Sequence, residues 1–285
     1  MWIKWIKKDE IKRLSADIRR IIDGQELDLR DNREGVWGIL KNDIHTLASL
    51  KNEQVDALQR ERDIMRDTLE NISHQLKTPL TSMIIMAELL ENAPPDKHAE
   101  FLSNIKTGLT RMEWLASALL KMAKLDAGAV EFSHEHIRSD ALINLALEPL
   151  QILLEIKNQS IEIIEIIEIC GKPDTKLFCD KRWTSEALTN IIKNASEYSP
   201  HGGKIRIESG TNPICSWISV TDSGEGIANT KIAKLFKRFE GTRSDKGYGI
   251  GLPLALAIMR GQNGDVEANG GGNGVGATFM LKLYK

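Results

Sequence analysis

The chain has 285 residues, room for two domains and a linker. Charged residues make up 27% and hydrophobic residues 41%, a globular composition that excludes a disordered chain. With 38 basic residues, 40 acidic ones and only 5% aromatics, nothing points to nucleic acid as a partner.

Cys170, Cys179 and Cys215 form no CxxC pair. Neither a disulfide framework nor a zinc site is expected, and a reduced cytoplasmic setting fits better. No apolar run approaches the ~18 residues a membrane span needs. The N-terminus, MWIKWIKKDEIKR, lacks a signal-peptide core, yet Trp2, Trp5 and its lysines suit a membrane interface. Two readings stay open: a soluble protein, or the cytosolic part of a membrane protein whose spans lie outside this sequence.

Ile11, Leu14, Ile18 and Ile21 carry the spacing of an amphipathic helix over residues 8–22, ended by Gly24. A polar stretch follows with Leu27 and Leu29 alternating, then Asp31 and Asn32 as caps. The next helix starts near Glu34, with Leu40, Ile44, Leu47 and Leu50 as its stripe. Helix, extended connector and helix over residues 1–59 resemble a HAMP-like signalling module.

From Gln54 one long helix is predicted. Met65, Leu69, Ile72, Leu76, Pro79, Met83, Met86 and Leu90 alternate steps of four and three, the heptad spacing of a bundle. Ala93-Pro94-Pro95-Asp96 breaks it, with Asp96 as the next cap. Leu102, Ile105, Leu109, Met112, Ala116, Leu119 and Ala123 repeat the rhythm as far as Gly128. One such hairpin leaves an apolar seam bare, so residues 60–128 are expected to dimerise into a four-helix bundle.

After Ala129 the pattern becomes mixed. Residues 142–150 and 181–198 read as helices, the second capped by Asp180. Residues 204–208, 216–221 and 278–283 alternate like strands, and IEIIEIIEI (161–169) leans the same way. Residues 129–285 are therefore expected to form an α/β sandwich.

The chemistry-bearing residues fall in five blocks. Ser73-His74-Gln75-Leu76-Lys77-Thr78-Pro79-Leu80 places His74 opposite Ile72 and Leu76, toward solvent. An exposed imidazole is largely neutral near pH 7 and nucleophilic, though an ordinary surface histidine would look the same. Asn190 and Asn194 share one helix face, where two amide oxygens suit Mg²⁺ beside phosphate. Asp222-Ser223-Gly224-Glu225-Gly226-Ile227 ends a strand with a carboxylate suited to an exocyclic amine, or forms a plain polar turn. Gly247-Tyr248-Gly249-Ile250-Gly251-Leu252 opens a helix, where backbone N–H groups approach phosphates. Gly274-Val275-Gly276-Ala277-Thr278-Phe279 is a glycine turn into a last strand. No GxxxxGK[ST] loop is present.

In this order the blocks resemble a bacterial two-component sensor histidine kinase over residues 60–285. SHQLKTPL resembles the H box, NIIKNASEYS the N box, DSGEGI the G1 box, LFKRFEG (235–241) the F box, GYGIGLPLA the G2 box and GVGATF the G3 box. The resemblance implies a phosphoacceptor hairpin followed by a Bergerat-type ATP-binding fold. It implies His74 as phosphoacceptor, Asn194 with Asn190 on Mg²⁺, Tyr198 on the adenine and Asp222 on its amino group. Gly224, Gly226 and Ile227 would admit the base. Gly249, Gly251, Leu252 and Thr278 would complete the ATP site, under a lid at 241–246. Thr78 would support dephosphorylation of a response regulator, the partner that receives the phosphoryl group on an aspartate. The protein would be a homodimer and cytoplasmic, either wholly or as the cytosolic part of an inner-membrane sensor.

Two positions depart from the family. Gln75 replaces the acid that usually follows the acceptor histidine. General-base help is worth roughly 10²–10⁴-fold, so slower phosphorylation is expected. Glu197 stands where a lysine often meets phosphate, leaving Lys193, Arg243 or Lys246 to substitute. Two other readings share the ATP fold: a conformational-clamp ATPase, which lacks the H box, and a nucleotide-binding scaffold without transfer.

Overall fold

A computed structural model describes residues 8–22, 36–165, 176–239, 249–271 and 276–285. The chain divides into two compact units, Met1–Glu70 and Asn71–Lys285. In the first, α1 (Lys8–Ile22) buries Leu14 and half-buries Ile18 and Ile21. Helix α2 (Val36–Glu91) begins in this unit, and its Leu40, Leu47 and Leu50 are exposed. Trp2, Trp5, Leu27, Leu29, Asp31 and Asn32 lie outside the described residues.

In the second unit, the rest of α2 pairs with α3 (Pro95–Asp126). Pro79 lies inside α2 without ending it. Pro94, not Asp96, occupies the N-cap of α3; Pro95 takes the first helical position, where a missing N–H costs nothing. Asp96 falls in the first turn instead, where its charge favours the helix dipole. Gly128 ends the hairpin with a φ of 61°.

The α3 stripe needs one correction. Ile105, Met112 and Leu119 turn inward as expected, but Leu102, Leu109, Ala116 and Ala123 are exposed. Phe101, Gly108, Leu115 and Met122 take the inner seam instead. The expected rhythm spans two adjacent faces of a bundle, and one chain fills only one of them. Gly108 lets the helices approach closely, since a Cβ there would meet Met83 Cγ at 2.7 Å.

The sandwich begins with β1 (His134–Arg138), α4 (Ser139–Leu147), a 3-10 turn (Glu148–Leu150), α5 (Gln151–Ile156) and β2 (Ser160–Glu165). The helix expected over 142–150 breaks at Pro149, which has no N–H to continue it. There follow β3 (Lys176–Asp180), α6 (Lys181–Tyr198), β4 (Lys204–Thr211), β5 (Cys215–Thr221), α7 (Asn229–Leu235), α8 (Gly251–Arg260), β6 (Gly264–Asn269) and β7 (Thr278–Tyr284). The main sheet runs β2-β4-β5-β7-β6, parallel only between β2 and β4, and β1 pairs antiparallel with β3. Residues 166–169 of the isoleucine-rich segment lie outside the described residues.

Ala187, Leu188, Ile191, Ile192 and Ala195 recur along α6 at helical spacing and are fully buried. They share one core with Leu254, Ala255 and Ile258 of α8 and with Ile205, Ile207, Ile218, Val220, Phe279 and Leu281 of the sheet. Asp180 caps α6, accepting from Arg182 N–H at 2.9 Å and Trp183 N–H at 3.0 Å. Leu115, Ala118 and Met122 of α3 belong to the same core, and α3 lies against α8. Burial of a side chain such as Leu115 contributes about 1.5–3 kcal/mol.

Candidate functional site

The candidate residues fall in two sets. The first surrounds His74 on α2. His74 is exposed, while Ile72 and Leu76 are half-buried, the orientation the sequence predicts. The ring lies in a groove of about 540 Å³ with Lys77, Thr78, Thr81, Ser82, Ile85 and Met86, all from α2. The Thr78 hydroxyl donates to the His74 carbonyl at 3.1 Å. Gln75 is half-buried and does not line the groove.

The second set lies where α6, α8 and the C-terminal ends of β5 and β6 meet. Asp222 follows β5 and is buried. Its Oδ1 accepts from Gly224 N–H at 2.8 Å and Ala277 N–H at 3.1 Å. Asp222 N–H donates to the Ala277 carbonyl at 3.0 Å. Burial pushes this carboxyl above the usual carboxylate range, and the two N–H donors pull it partly back. Among the described residues Oδ2 has no partner, which leaves an acceptor for an exocyclic amine.

Glycines build the walls by close approach. A Cβ on Gly224 would meet the Tyr198 carbonyl at 2.7 Å, so the turn lies against the end of α6. A Cβ on Gly276 would overlap the Asp222 backbone and carboxylate. Gly226 holds a φ of 79°, and Ile227 N–H donates to the Gly270 carbonyl at 2.8 Å. Tyr198 is 43% exposed at the end of α6. The Thr278 hydroxyl pairs with that of Thr221 at 2.9 Å, bracing the strand ends beside Asp222.

Asn190 is buried, and its Nδ2 donates to the Glu186 carbonyl at 3.0 Å. Its Oδ1 faces Gly251, 3.4 Å from where a Cβ would stand. Thus an amide oxygen points at the first turn of α8, where Leu252 is buried. Asn194 is half-buried one turn on. Gly249 has a φ of 66°, and its carbonyl accepts from Phe239 N–H at 3.0 Å. Lys193 of α6 places its ammonium 4.6 Å from the centre of the Trp114 ring on α3. Arg243, Lys246, Gly247 and Gly274 lie outside the described residues.

The structure thus sets Gly251 against Asn190, and Gly224 against Asp222 and the end of α6 at Tyr198, while His74 and Thr78 line one groove on α2. Sequence reasoning missed the seat that Gly276 and Ala277 make for Asp222. Their glycine turn was legible as a motif, but its target, 55 residues upstream, was not.

Comparison with known proteins matches residues 64–128 to the family HisKA, described as His Kinase A (phospho-acceptor) domain. Residues 179–285 match HATPase_c, described as Histidine kinase-, DNA gyrase B-, and HSP90-like ATPase. Sensor histidine kinase WalK of Bacillus subtilis (strain 168) is 32% identical over 229 residues, covering 76% of this chain and 36% of WalK. Signal transduction histidine-protein kinase BaeS of Escherichia coli (strain K12) is 24% identical over 280 residues, 95% of this chain and 58% of BaeS. The chain therefore spans under two thirds of either relative. Among solved structures, histidine kinase ThkA in complex with response regulator TrrA has a TM-score of 0.64 at 19% identity, covering 82% of this chain and 66% of that one. Acinetobacter baumannii histidine kinase AdeS has a TM-score of 0.61 at 22% identity, covering 74% of this chain and 97% of that one, so the shared fold is clear.

Proposed function

Because this chain belongs to the sensor histidine kinases of two-component systems, we propose that it phosphorylates its own His74 from ATP and passes the phosphoryl group to a response regulator. One observation carries the reading. An exposed His74 stands on the hairpin of the same unit that holds the buried Asp222 between Gly224 and Gly276.

The residues fit ATP and Mg²⁺. Asp222 Oδ2 accepts from the adenine amino group, and the Tyr198 ring covers one edge of the base. Gly249, Gly251 and Leu252 bring the start of α8 to the phosphates. Asn190 and Asn194 offer hard oxygen donors beside that turn. Among the described residues no group of three acidic, histidine or cysteine side chains could hold a metal ion. Mg²⁺ would be held by one or two of these amide oxygens plus phosphate. Bound there, Mg²⁺ would supply charge neutralisation at the phosphate oxygens.

Neutral His74 attacks the γ-phosphorus with its Nε2 lone pair. The bond to the bridging oxygen breaks, ADP leaves with that electron pair, and the Nδ1 proton passes to water. A carboxylate oxygen of the regulator's aspartate then attacks the phosphorus, the P–Nε2 bond breaks with its electron pair returning to Nε2, and Nδ1 takes a proton back from water. Thr78, in the same groove, would orient a water that hydrolyses the regulator's aspartyl phosphate, releasing phosphate and the free carboxylate. Leu102, Leu109 and Leu120 stay exposed on α3, and Leu80, Ile84 and Leu89 on α2. A second copy covers them as a homodimer. No described helix is long and apolar enough to cross a membrane.

The test is incubation with γ-labelled ATP. Label stable to alkali and labile to acid, absent in His74→Ala and in Asn194→Ala, is the expected result. Equal labelling of His74→Ala overturns the proposal.

A further inference from the structure

The sandwich grips α3 through polar contacts that repeat in register. Lys121 pairs with Glu186 at 2.8 Å, and Lys193 lies over Trp114 at 4.6 Å. Trp114 and Lys121 are one heptad apart on α3, and Glu186 and Lys193 one heptad apart on α6. The order reverses between them, so the two stripes face each other antiparallel. Arg238, just after α7, pairs with Asp126 at the end of α3 at 2.7 Å. Beneath these contacts Leu115, Ala118 and Met122 are buried against the sandwich. This is a specific docked face. The groove around His74 is lined by α2 residues alone, so the docked face is not the transferring one.

Glu186, Asn190 and Lys193 follow one another at helical spacing, and Asn194 lies beside Lys193. The stripe that touches α3 therefore borders the face that presents the two amides. A lysine stem is long and flexible, so its ammonium reaches either side. Glu197, one turn beyond Lys193, carries a carboxylate that repels phosphate, so Lys193 is the cation of this helix beside the two amides.

We infer that Lys193 is shared: Trp114 holds it in the docked state, and the ATP phosphates claim it on binding, so nucleotide loading weakens the grip of the sandwich on α3 by the share that Trp114 contributes. The inference rests on the reading that Lys193 contacts phosphate. Coupling of this kind is reciprocal, so what Trp114 contributes to docking it removes from nucleotide affinity. An ammonium within ~6 Å of a tryptophan face is held more strongly than over phenylalanine, and an aliphatic side chain offers no such attraction.

The test titrates the full chain with a fluorescent ATP analogue and Mg²⁺. Variants are Trp114→Phe, Trp114→Leu, Lys193→Met, the Trp114→Leu/Lys193→Met double, and Asn194→Ala. Affinity is expected to rise in the order Trp, Phe, Leu, by about two- to fivefold in all. Lys193→Met weakens binding, and Trp114→Leu adds nothing on top of it. Autophosphorylation follows the same order at limiting ATP and converges at saturation, a change in KM rather than kcat. A merely structural Trp114 would not produce that graded order or its loss in the double variant. Should Leu at 114 prevent folding, the Phe variant still reports the direction. Unchanged affinity in the Trp114 variants, or a gain that survives Lys193→Met, overturns the clasp. Wild-type affinity in Lys193→Met overturns both the clasp and the phosphate contact, while Asn194→Ala tests the nucleotide site separately.

Discussion

Gly276→Ala is expected to disable nucleotide binding from outside the pocket. The added methyl would overlap the Asp222 backbone carbonyl and carboxylate, neither of which can swing aside as a flexible side chain would. Residues 276–277 must retreat, and Ala277 N–H moves away from Asp222 Oδ1, now at 3.1 Å. Overpacking of this kind costs about 1–3 kcal/mol. A hydrogen bond to a charged group contributes about 1.5–3 kcal/mol, so losing its alignment weakens ATP binding by roughly 10- to 100-fold. At about 2–4 °C per kcal/mol, a 2 kcal/mol loss lowers Tm by roughly 4–8 °C. The assay pairs thermal unfolding with titration of a fluorescent ATP analogue. Gly210→Ala serves as the control, since its Cβ would meet the Trp217 ring at 2.6 Å, away from Asp222. It should lower Tm while leaving affinity within about twofold, the scatter of ordinary surface changes. Wild-type Tm and affinity in Gly276→Ala would refute the argument that this glycine seats Asp222.

Gln75→Glu should accelerate labelling of His74 by about tenfold or more, because a carboxylate adds general-base help to the neighbouring ring; an unchanged single-turnover rate rejects that account of the departure. Asp222 gives a signed pH dependence. Its carboxyl is raised from 3.8 in the fold, so the folded state binds the proton more tightly than the unfolded one. Between the ordinary carboxylate range and the raised value, apo stability falls as pH rises. Nucleotide affinity moves the other way, lost on acidification before an ordinary carboxylate would protonate. Asp222→Asn should flatten both profiles, and affinity that holds down to the ordinary range contradicts the assignment. Asp180→Ala removes a cap and the acceptor for Ser133 N–H at 2.8 Å, so chemical denaturation should show a loss of about 1–2 kcal/mol.

Local patterns account for much of what was legible. Helix α6 runs Lys181–Tyr198 with Asp180 as its cap, because Asp before an apolar-periodic run is itself the physical start signal. The strands β4, β5 and β7 follow from alternation and β-branching. Strand β1 (HEHIR) and strand β6 (GDVEAN) carry little of either, since they are held by pairing with β3 and β7 rather than by their own preference.

The sequence by itself determined local facts: that His74 points to solvent, which helix carries the amide pair, and where glycines cluster. Those facts depend on residue type and spacing within one element. Tertiary structure alone decided what those elements meet. It set Gly276 and Ala277 behind Asp222, turned Asn190 toward Gly251, and laid Lys193 on Trp114. Such contacts join residues tens of positions apart. Their energy comes from burial and alignment that exist only once the sheet, its helices and the hairpin have packed.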